Sequence, residues 1–475
     1  MKDLKKTKII ATYGPAIANS SKVRQLADAG VNVFRVNCSH GNSSDFKKAV
    51  YIIRKGISYA TFPVGLLFDI SGPKLRVDRF EGEYPVKHGD TLIITSGESD
   101  LSKGIIGVNH PAIIKSVKPK ERVFIDDGNI ILKVKSCSKK FVTLEVQNDG
   151  VILSGKGINL PDSDVKVPTI TEKDIKDIKT AVECKADFIA LSFVRSGDDI
   201  IEAQKLLKKY GGDQQIIAKL EKKEAIEDIE NIMLLADGVM VARGDLGVEL
   251  PFEELPQLQK SIITLANYHH KPVIVATQML ESMRFSPRAT RAEINDVATA
   301  VFDYVDAVML SAETATGKYP LETVQTMARV ALKTEKYSKR TPVDAQIDQH
   351  LIRSAVTHAI AKSVSSLRSE FEAKAIFAFT STGFTAELIS NLFPPQRVIA
   401  LTYSKRVLTK LTLLRSVYPV LVKKPTTFRK MISTIEKVGL DSKFVDTKDK
   451  VVIAGGLPFD SSSETNFMMI HEIAK

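Results

Sequence analysis

Eight short apolar runs, each stopping where residues able to bind a phosphate or a metal begin, constrain this chain more than any other feature. They run from Lys8 to Thr12, Val31 to Asn37, Val64 to Asp69, Phe188 to Phe193, Ile216 to Glu221, Val239 to Arg243, Val273 to Thr277 and Ala307 to Ser311. Runs this short, rich in β-branched residues and bounded by turn residues, read as strands buried on both faces, as a parallel sheet requires. Most are followed by helical periodicity, which argues for one closed (β/α)8 barrel. In such barrels reactive groups stand at the C-terminal ends of the strands, so the polar endings are expected to form a catalytic rim.

At 475 residues the chain is too long for one core, and a barrel of roughly 250 residues leaves room for two more domains. Strand and helix alternate up to Asp69. The next stretch holds strand-like pieces such as TLIIT, ERVFID, IILKV and FVTLEV between Gly, Asp and Lys clusters, with hardly any helical period. The barrel rhythm then resumes in TITEKDIKDIKTAVECKADFIALSF, a capped helix feeding a strand. The expected layout is barrel over 1–73, an inserted β-barrel-like lid over 74–159, barrel again over 160–337, and an open α/β domain over 338–475. The polar stretch RTPVDAQID reads as the last boundary. A β domain inserted after strand three stands on the rim side, where it can close over the site.

Several classes of function are disfavoured. A 44% hydrophobic, 26% charged composition is that of an ordinary globular protein, and no apolar stretch approaches the roughly 18 residues of a membrane span. The N-terminus MKDLKKTKIIATYG runs straight into the first strand without a separate apolar leader, so a cytoplasmic protein is expected. The net charge of +11 is spread along the chain, and no nucleic-acid motif accompanies it. It reads as a basic solvated surface that also attracts anionic substrates. Cys38, Cys137 and Cys184 lack metal-ligand or CxxC spacing and read as reduced thiols.

The ends of strands five and six carry the strongest chemical signal. Lys219 and Glu221, two residues apart, place a cation and a carboxylate on one face of a strand end. Asp245, just after the next strand, adds a second carboxylate, and two carboxylates completed by water and substrate oxygens are a usual way to hold Mg²⁺. Gly244 lets a ligand approach the backbone, and a helix starting near Asp245 offers N–H groups to an anion. The competing reading is a surface ion pair of Lys219 with Glu221. Other strand ends shift the balance. Strand two ends in Arg35, able to grip a phosphate bidentately, with Asn37 and Ser39 as oxygen donors. Strands three, seven and eight end in Asp69, Thr277 and Ser311 with Glu313, and Arg76 and Lys156 flank the two lid hinges.

The segments TKIIATYGPA, FRVNCSHG, DISGPKLR, GKGINLP, IIAKLE, VMVARGDLGVEL, VIVATQMLESM and RAEINDVATAVFDYVDAVMLSAETATGKYP resemble pyruvate kinase, in order and at that family's spacing, from about Thr7 to Pro320. The C-terminal region is similar in pattern more than in motif. The resemblance implies transfer of a phosphoryl group from phosphoenolpyruvate to ADP, giving pyruvate and ATP, with Mg²⁺ or Mn²⁺. It makes Glu221 and Asp245 the metal ligands and Lys219 the cation facing the phosphoryl group. Arg35 becomes the phosphate grip, with Arg76, Lys156 and His40 on the nucleotide side. Backbone groups of Gly244 and Asp245, with Thr277, would seat the substrate carboxylate, and Thr277 would lie on the proton path to enolpyruvate. A threonine hydroxyl is too weak an acid to be the ultimate donor, so a water chain is expected behind it. The family also implies a homotetramer.

The chain departs from the family at strand three. Potassium-requiring members commonly read Asp-Thr-Lys-Gly-Pro-Glu there, whereas this sequence reads Asp69, Ile70, Ser71, Gly72, Pro73, Lys74. Ile70 removes a hydroxyl from the monovalent-cation position otherwise formed with Asn37, Ser39 and Asp69. Lys74 supplies a tethered ammonium in its place, so activity without potassium is expected; the alternative makes Lys74 a solvated hinge residue. In the C-terminal domain Thr380, Ser381, Thr382, Gly383 and Thr385 form a hydroxyl-rich helix start, the place where many relatives bind a phosphorylated effector, or else a cap with no ligand. The late loop carries Asp460 and Glu464 and no arginine, which argues against a doubly phosphorylated sugar. Two rival functions are another Mg²⁺-dependent phosphoenolpyruvate or pyruvate barrel enzyme and a non-catalytic sensor on the same fold.

Overall fold

Side chains alternate across a strand, and here both faces of the eight short strands are apolar, so each strand must be covered on both sides. The computed structural model, which describes residues 4–338, 354–367, 372–458 and 464–474, meets that demand with a closed parallel barrel. Its strands are β1 (Lys8–Thr12), β2 (Val33–Asn37), β3 (Gly65–Ile70), β4 (Phe188–Leu191), β5 (Gln215–Leu220), β6 (Gly238–Ala242), β7 (Val273–Ala276) and β8 (Ala307–Leu310), each beside its sequence neighbour. Inward residues such as Ile10, Leu67, Phe188 and Ile274 fill the ring, while Ile9, Phe68, Ile189 and Val239 pack outward against the helices.

β1 has its expected bounds and β2 its expected last residue, and the remaining strands end one or two residues from the expected positions. The largest discrepancy is β4, which stops at Leu191. Phe193 lies beyond it in a left-handed conformation, φ 55°. An apolar run cannot distinguish a strand residue from an apolar residue in the turn that follows.

The lid joins after β3 through Gly72, whose φ of 66° places it in the left-handed region, with a Cβ there meeting Phe193 Cδ2 at 2.8 Å. Its strands form a two-stranded and a six-stranded sheet around one apolar cluster. Hairpin signals specify antiparallel neighbours but not whether a sheet closes on itself. A short helix, Ala112–Ser116, also interrupts the lid.

The C-terminal domain is a five-stranded sheet of β9 (Ala375–Phe379), β10 (Arg397–Thr402), β11 (Val417–Leu421), β12 (Lys450–Gly455) and β13 (Phe467–Glu472), in the order β11-β10-β9-β12-β13. Four of these strands are visible in the sequence. The fifth, β13, runs antiparallel on the edge with Met468 and Ile470 exposed, so it carries no buried-strand signature. The polar stretch 340–348 and Asp460 lie outside the described residues.

This domain docks on the floor of the barrel, opposite the rim. Leu413 joins the cluster that fills the ring. Arg415 N–H donates to Asp306 Oδ1 (2.9 Å), Lys8 Nζ to Val417 O (2.5 Å) and Tyr418 Oη to Lys5 O (2.6 Å). At one side of the junction His270, after the helix Leu255–Tyr268, faces His358 on Ala355–Ser366, with ring centroids 6.3 Å apart. Neither ring nitrogen of His270 has a hydrogen-bond partner among the described residues.

Burial, and then repulsion from His358 and His269, lowers the His270 pKa from its ordinary 6.5 to about 4. Below pH 6.5 the unfolded chain takes up a proton that the folded chain refuses, so stability falls as the pH drops from about 6.5 towards 4. Between pH 6.5 and 5 this group alone is expected to cost about 2 kcal/mol. In denaturant titrations the His270→Gln variant should lose less stability over that interval than the native chain.

Candidate active site

At the C-terminal mouth of the barrel, where side chains from neighbouring strands converge, the short strands end in charge. Arg35 on β2 and Asp69 on β3 form an ion pair, Nε to Oδ2, at 2.6 Å. Arg35 Nη1 also donates to Thr12 Oγ1 on β1 (3.0 Å). Lys219 on β5 reaches across to Asp69 Oδ1 (3.2 Å) and to Glu221 Oε1 (2.7 Å). Its ammonium also donates to Ser192 Oγ at 2.7 Å, and that hydroxyl lies 3.4 Å from Asp69 Oδ1. Glu221 Oε2 accepts the Phe193 N–H (2.8 Å), which the left-handed turn after β4 aims at it.

The pairing of Lys219 with Glu221 is therefore real, but it is buried: the two side chains are 11% and 1% exposed. Burial disfavours the Lys219 ammonium, yet the charges of Asp69 and then Glu221 outweigh it and hold its pKa above the usual lysine value. Burial likewise opposes ionisation of Asp69, and Arg35 with Lys219 reverses this and lowers its pKa. Glu221 goes the other way. Burial raises its pKa, and the negative charge of Asp245 adds to the rise against the pull of Lys219. A buried carboxylate whose pKa is raised in part by a neighbouring carboxylate fits a site for an added divalent cation. Among the described residues no cluster of three or more His, Cys, Asp or Glu offers a closed metal cage. A pair of carboxylates suits an ion that keeps water or substrate oxygens in its shell.

Asp245 lies in the first turn of the helix Arg243–Glu249, and Lys74 Nζ stands 3.8 Å from its Oδ1 with a side chain 34% exposed. The Gly244 N–H, expected to be free for an anion, donates to Thr277 Oγ1 (2.8 Å), and that hydroxyl donates to Ala276 O (2.6 Å). Thr277 sits at φ 69° and Gln278 at 54°, a strained turn of the kind found where function holds the backbone. Arg243 braces it by donating to Thr277 O (2.7 Å) and Asp296 Oδ1 (2.6 Å).

Other sequence candidates stand apart. Arg76 Nη1 donates to Gly155 O (2.8 Å) and Lys156 pairs with Asp126 (2.8 Å), both within the lid. His40 is exposed. Asn37 Oδ1 accepts the Ser39 N–H (3.1 Å), and Ile70 is fully buried. Glu313 is buried and accepts the Ser311 and Leu280 N–H groups, so it braces the β7 and β8 ends and is no rim ligand. In the C-terminal loop Thr380 Oγ1 accepts the Gly383 N–H (2.8 Å), Thr382 Oγ1 lies 3.4 Å from the Phe384 nitrogen, and Thr385 pairs with Thr465 (2.5 Å). Ser381 lies within the turn that Thr380 and Gly383 close, and Glu464 accepts from Ser354 (2.7 Å). Ser192, Phe193 and Arg243 were missed. For Ser192 the signal was a lone hydroxyl at the end of FIALSF; for the other two only the turn geometry reveals a role.

Comparison with known proteins finds relatives over nearly the whole chain. Residues 4–324 match the family model "Pyruvate kinase, barrel domain" and residues 358–471 match "Pyruvate kinase, alpha/beta domain". The chain is 39% identical over 474 residues to a pyruvate kinase of Geobacillus stearothermophilus, covering 99% of this chain and 81% of that one. It is 38% identical over 462 residues to one of Thermotoga maritima, covering 96% and 97%. The crystal structure of a pyruvate kinase from Cryptosporidium parvum superposes with a TM-score of 0.90 at 34% identity, covering 99% and 96% of the two chains.

Asp69 is the shared acceptor of two buried cations, so Asp69→Leu should destabilise the fold by ~3–5 kcal/mol in denaturant titration. Ser192→Ala, which removes one hydrogen bond, should cost only ~1 kcal/mol.

Proposed function

The chain belongs to the pyruvate kinase family, a family of phosphotransferases that bind phosphoenolpyruvate and ADP, and we propose the following division of labour at the barrel mouth. Glu221 and Asp245 hold Mg²⁺, or Mn²⁺. The bound ion supplies charge neutralisation and orientation at the phosphoryl oxygens. Lys219 is a fixed cation facing the phosphoryl group in transfer, and Arg35 is a second one from β2. A group transferred with charge spread over its oxygens is stabilised mainly by such preorganised charge. The observation that carries this reading is the Lys219 ammonium, buried yet held ionised by Asp69 and Glu221.

Thr277 Oγ1, oriented by the Gly244 N–H, passes a proton from water to the enolpyruvate carbon, while the backbone of Asp245 seats the substrate carboxylate, joined by Gly244 only when its N–H leaves Thr277. Arg76, Lys156 and His40 attend the nucleotide, the first two brought to it by the lid. A phosphorylated effector at Ser381 and Thr382 would have to compete with the bonds within that loop. Family membership supports a cytoplasmic homotetramer.

Lys74 does electrostatically what a bound potassium ion does in potassium-requiring relatives. Its ammonium lies 3.8 Å from Asp245 Oδ1 and its side chain is one-third exposed, which supports an active-site role over a solvated hinge.

Pyruvate should form only when ADP, phosphoenolpyruvate and a divalent cation are all present; release without ADP would overturn the reading. Lys219→Met should lower kcat about 10²–10³-fold with a smaller effect on KM.

In sodium-free, potassium-free buffer the native enzyme should work at full rate, and Lys74→Glu should create at least partial dependence on potassium. A strict requirement in the native enzyme sinks the Lys74 assignment.

A further inference from the structure

One buried carboxylate joins three segments that the proposed mechanism treats separately. Glu249 is the last residue of the helix Arg243–Glu249, one turn beyond Asp245, and its side chain is 4% exposed. Its Oε1 accepts from Lys222 Nζ at 2.6 Å and from Asn159 Nδ2 at 3.3 Å. Lys222 directly follows Glu221 and lies 6.0 Å from the ring of Phe193, the residue whose N–H holds Glu221. Asn159 belongs to the lid. With Ile158 it pairs antiparallel to the lid strand Arg122–Ile125, opposite Phe124.

The two bonds differ in kind. The bond from Lys222 is short and charge-assisted, and it keeps the buried carboxylate compensated whatever the lid does. The Asn159 bond is longer and neutral on the donor side, so it can break without leaving an isolated charge. Beyond it the chain is pinned to the barrel: Arg195 donates to Val165 O (3.0 Å), Val167 O and Thr169 Oγ1 (3.0 Å). On the outgoing side the Gly72 N–H donates to Asp174 Oδ1 (3.2 Å). The lid is thus tied to the barrel on both connecting segments, and Asn159 brings the lid sheet against the helix that carries Asp245, as Lys74 does from the first connection.

We propose that Glu249 is a positioning residue, a catch through which Asn159 and Lys222 couple the orientation of the lid to the placement of Glu221 and Asp245. This rests on the assignment of those two carboxylates to the divalent ion. Since coupling between two sites is reciprocal, breaking the catch should loosen nucleotide binding without removing the metal site.

The test compares Asn159→Ala, Glu249→Ala and the double variant in the full-length enzyme, measuring kcat, the KM of each substrate and Mn²⁺ binding to nucleotide-free protein. Asn159→Ala should raise the KM for ADP about fivefold, the worth of one hydrogen bond, and leave the KM for phosphoenolpyruvate and the Mn²⁺ Kd within about twofold. In the Glu249→Ala background the same substitution should have no further effect on the KM for ADP. Glu249→Gln keeps an acceptor for Asn159 and should restore most of the ADP affinity lost in Glu249→Ala. Should Asn159→Ala fail to fold, Asn159→Asp sets a carboxylate against Glu249 and should raise the KM for ADP further. Additive effects of Asn159→Ala and Glu249→Ala, or an equal loss for both substrates, overturn the catch. Glu221→Gln separates the two layers: unchanged Mn²⁺ binding in that variant means the metal assignment itself has failed and the coupling with it, whereas lost binding together with additive effects condemns the coupling alone.

Discussion

The parallel pairing of β1 with β8, from Lys8 opposite Ala307 to Ala11 opposite Leu310, closes the ring, and the arrangement of every polar group at the mouth follows from that closure. An open sheet would place the end of β2 far from the end of β5. In the closed ring Asp69 on β3 touches Arg35 on one side and Lys219 on the other, and Arg35 reaches back to Thr12 on β1. The apolar layers below exclude water from this cluster, which makes its charges strong and also makes them depend on one another.

That dependence explains the division among the acidic groups. Asp69 has two cations against it and is held ionised, so it acts as a structural counter-ion. Glu221 shares Lys219 with Asp69 and faces Asp245, so burial and repulsion raise its pKa. A carboxylate in that position gains from an added cation. The left-handed residues Phe193 and Thr277 belong to the same economy of space, since each turns the backbone so that an N–H or a hydroxyl faces the mouth at a short strand end.

The two additional domains attach to opposite ends of the barrel. The lid hangs at the mouth by Gly72 and by the segment that Arg195 holds, with Asn159 on Glu249 between them. The C-terminal domain seals the floor with Leu413 and bonds the N-terminal ends of β1 and β8 through Lys8 and Asp306.

The barrel was legible in the sequence because burial on both faces leaves a local signature in each short run, and the reactive residues were legible because they sit at fixed places relative to those runs. Lys219, Glu221, Asp245, Arg35 and Asp69 could all be named that way. Locally encoded features with weak burial, such as the edge strand β13 and the exact end of β4, were not. Only the tertiary structure decided who meets whom. That Asp69 serves two cations, that Ser192 supports Lys219, that Glu313 braces loops, and that Glu249 links Lys222 to Asn159 are contacts between segments from 27 to 150 residues apart. A periodic pattern records the environment of each residue but not the identity of its neighbour, and ring closure and the seating of the lid supply that identity.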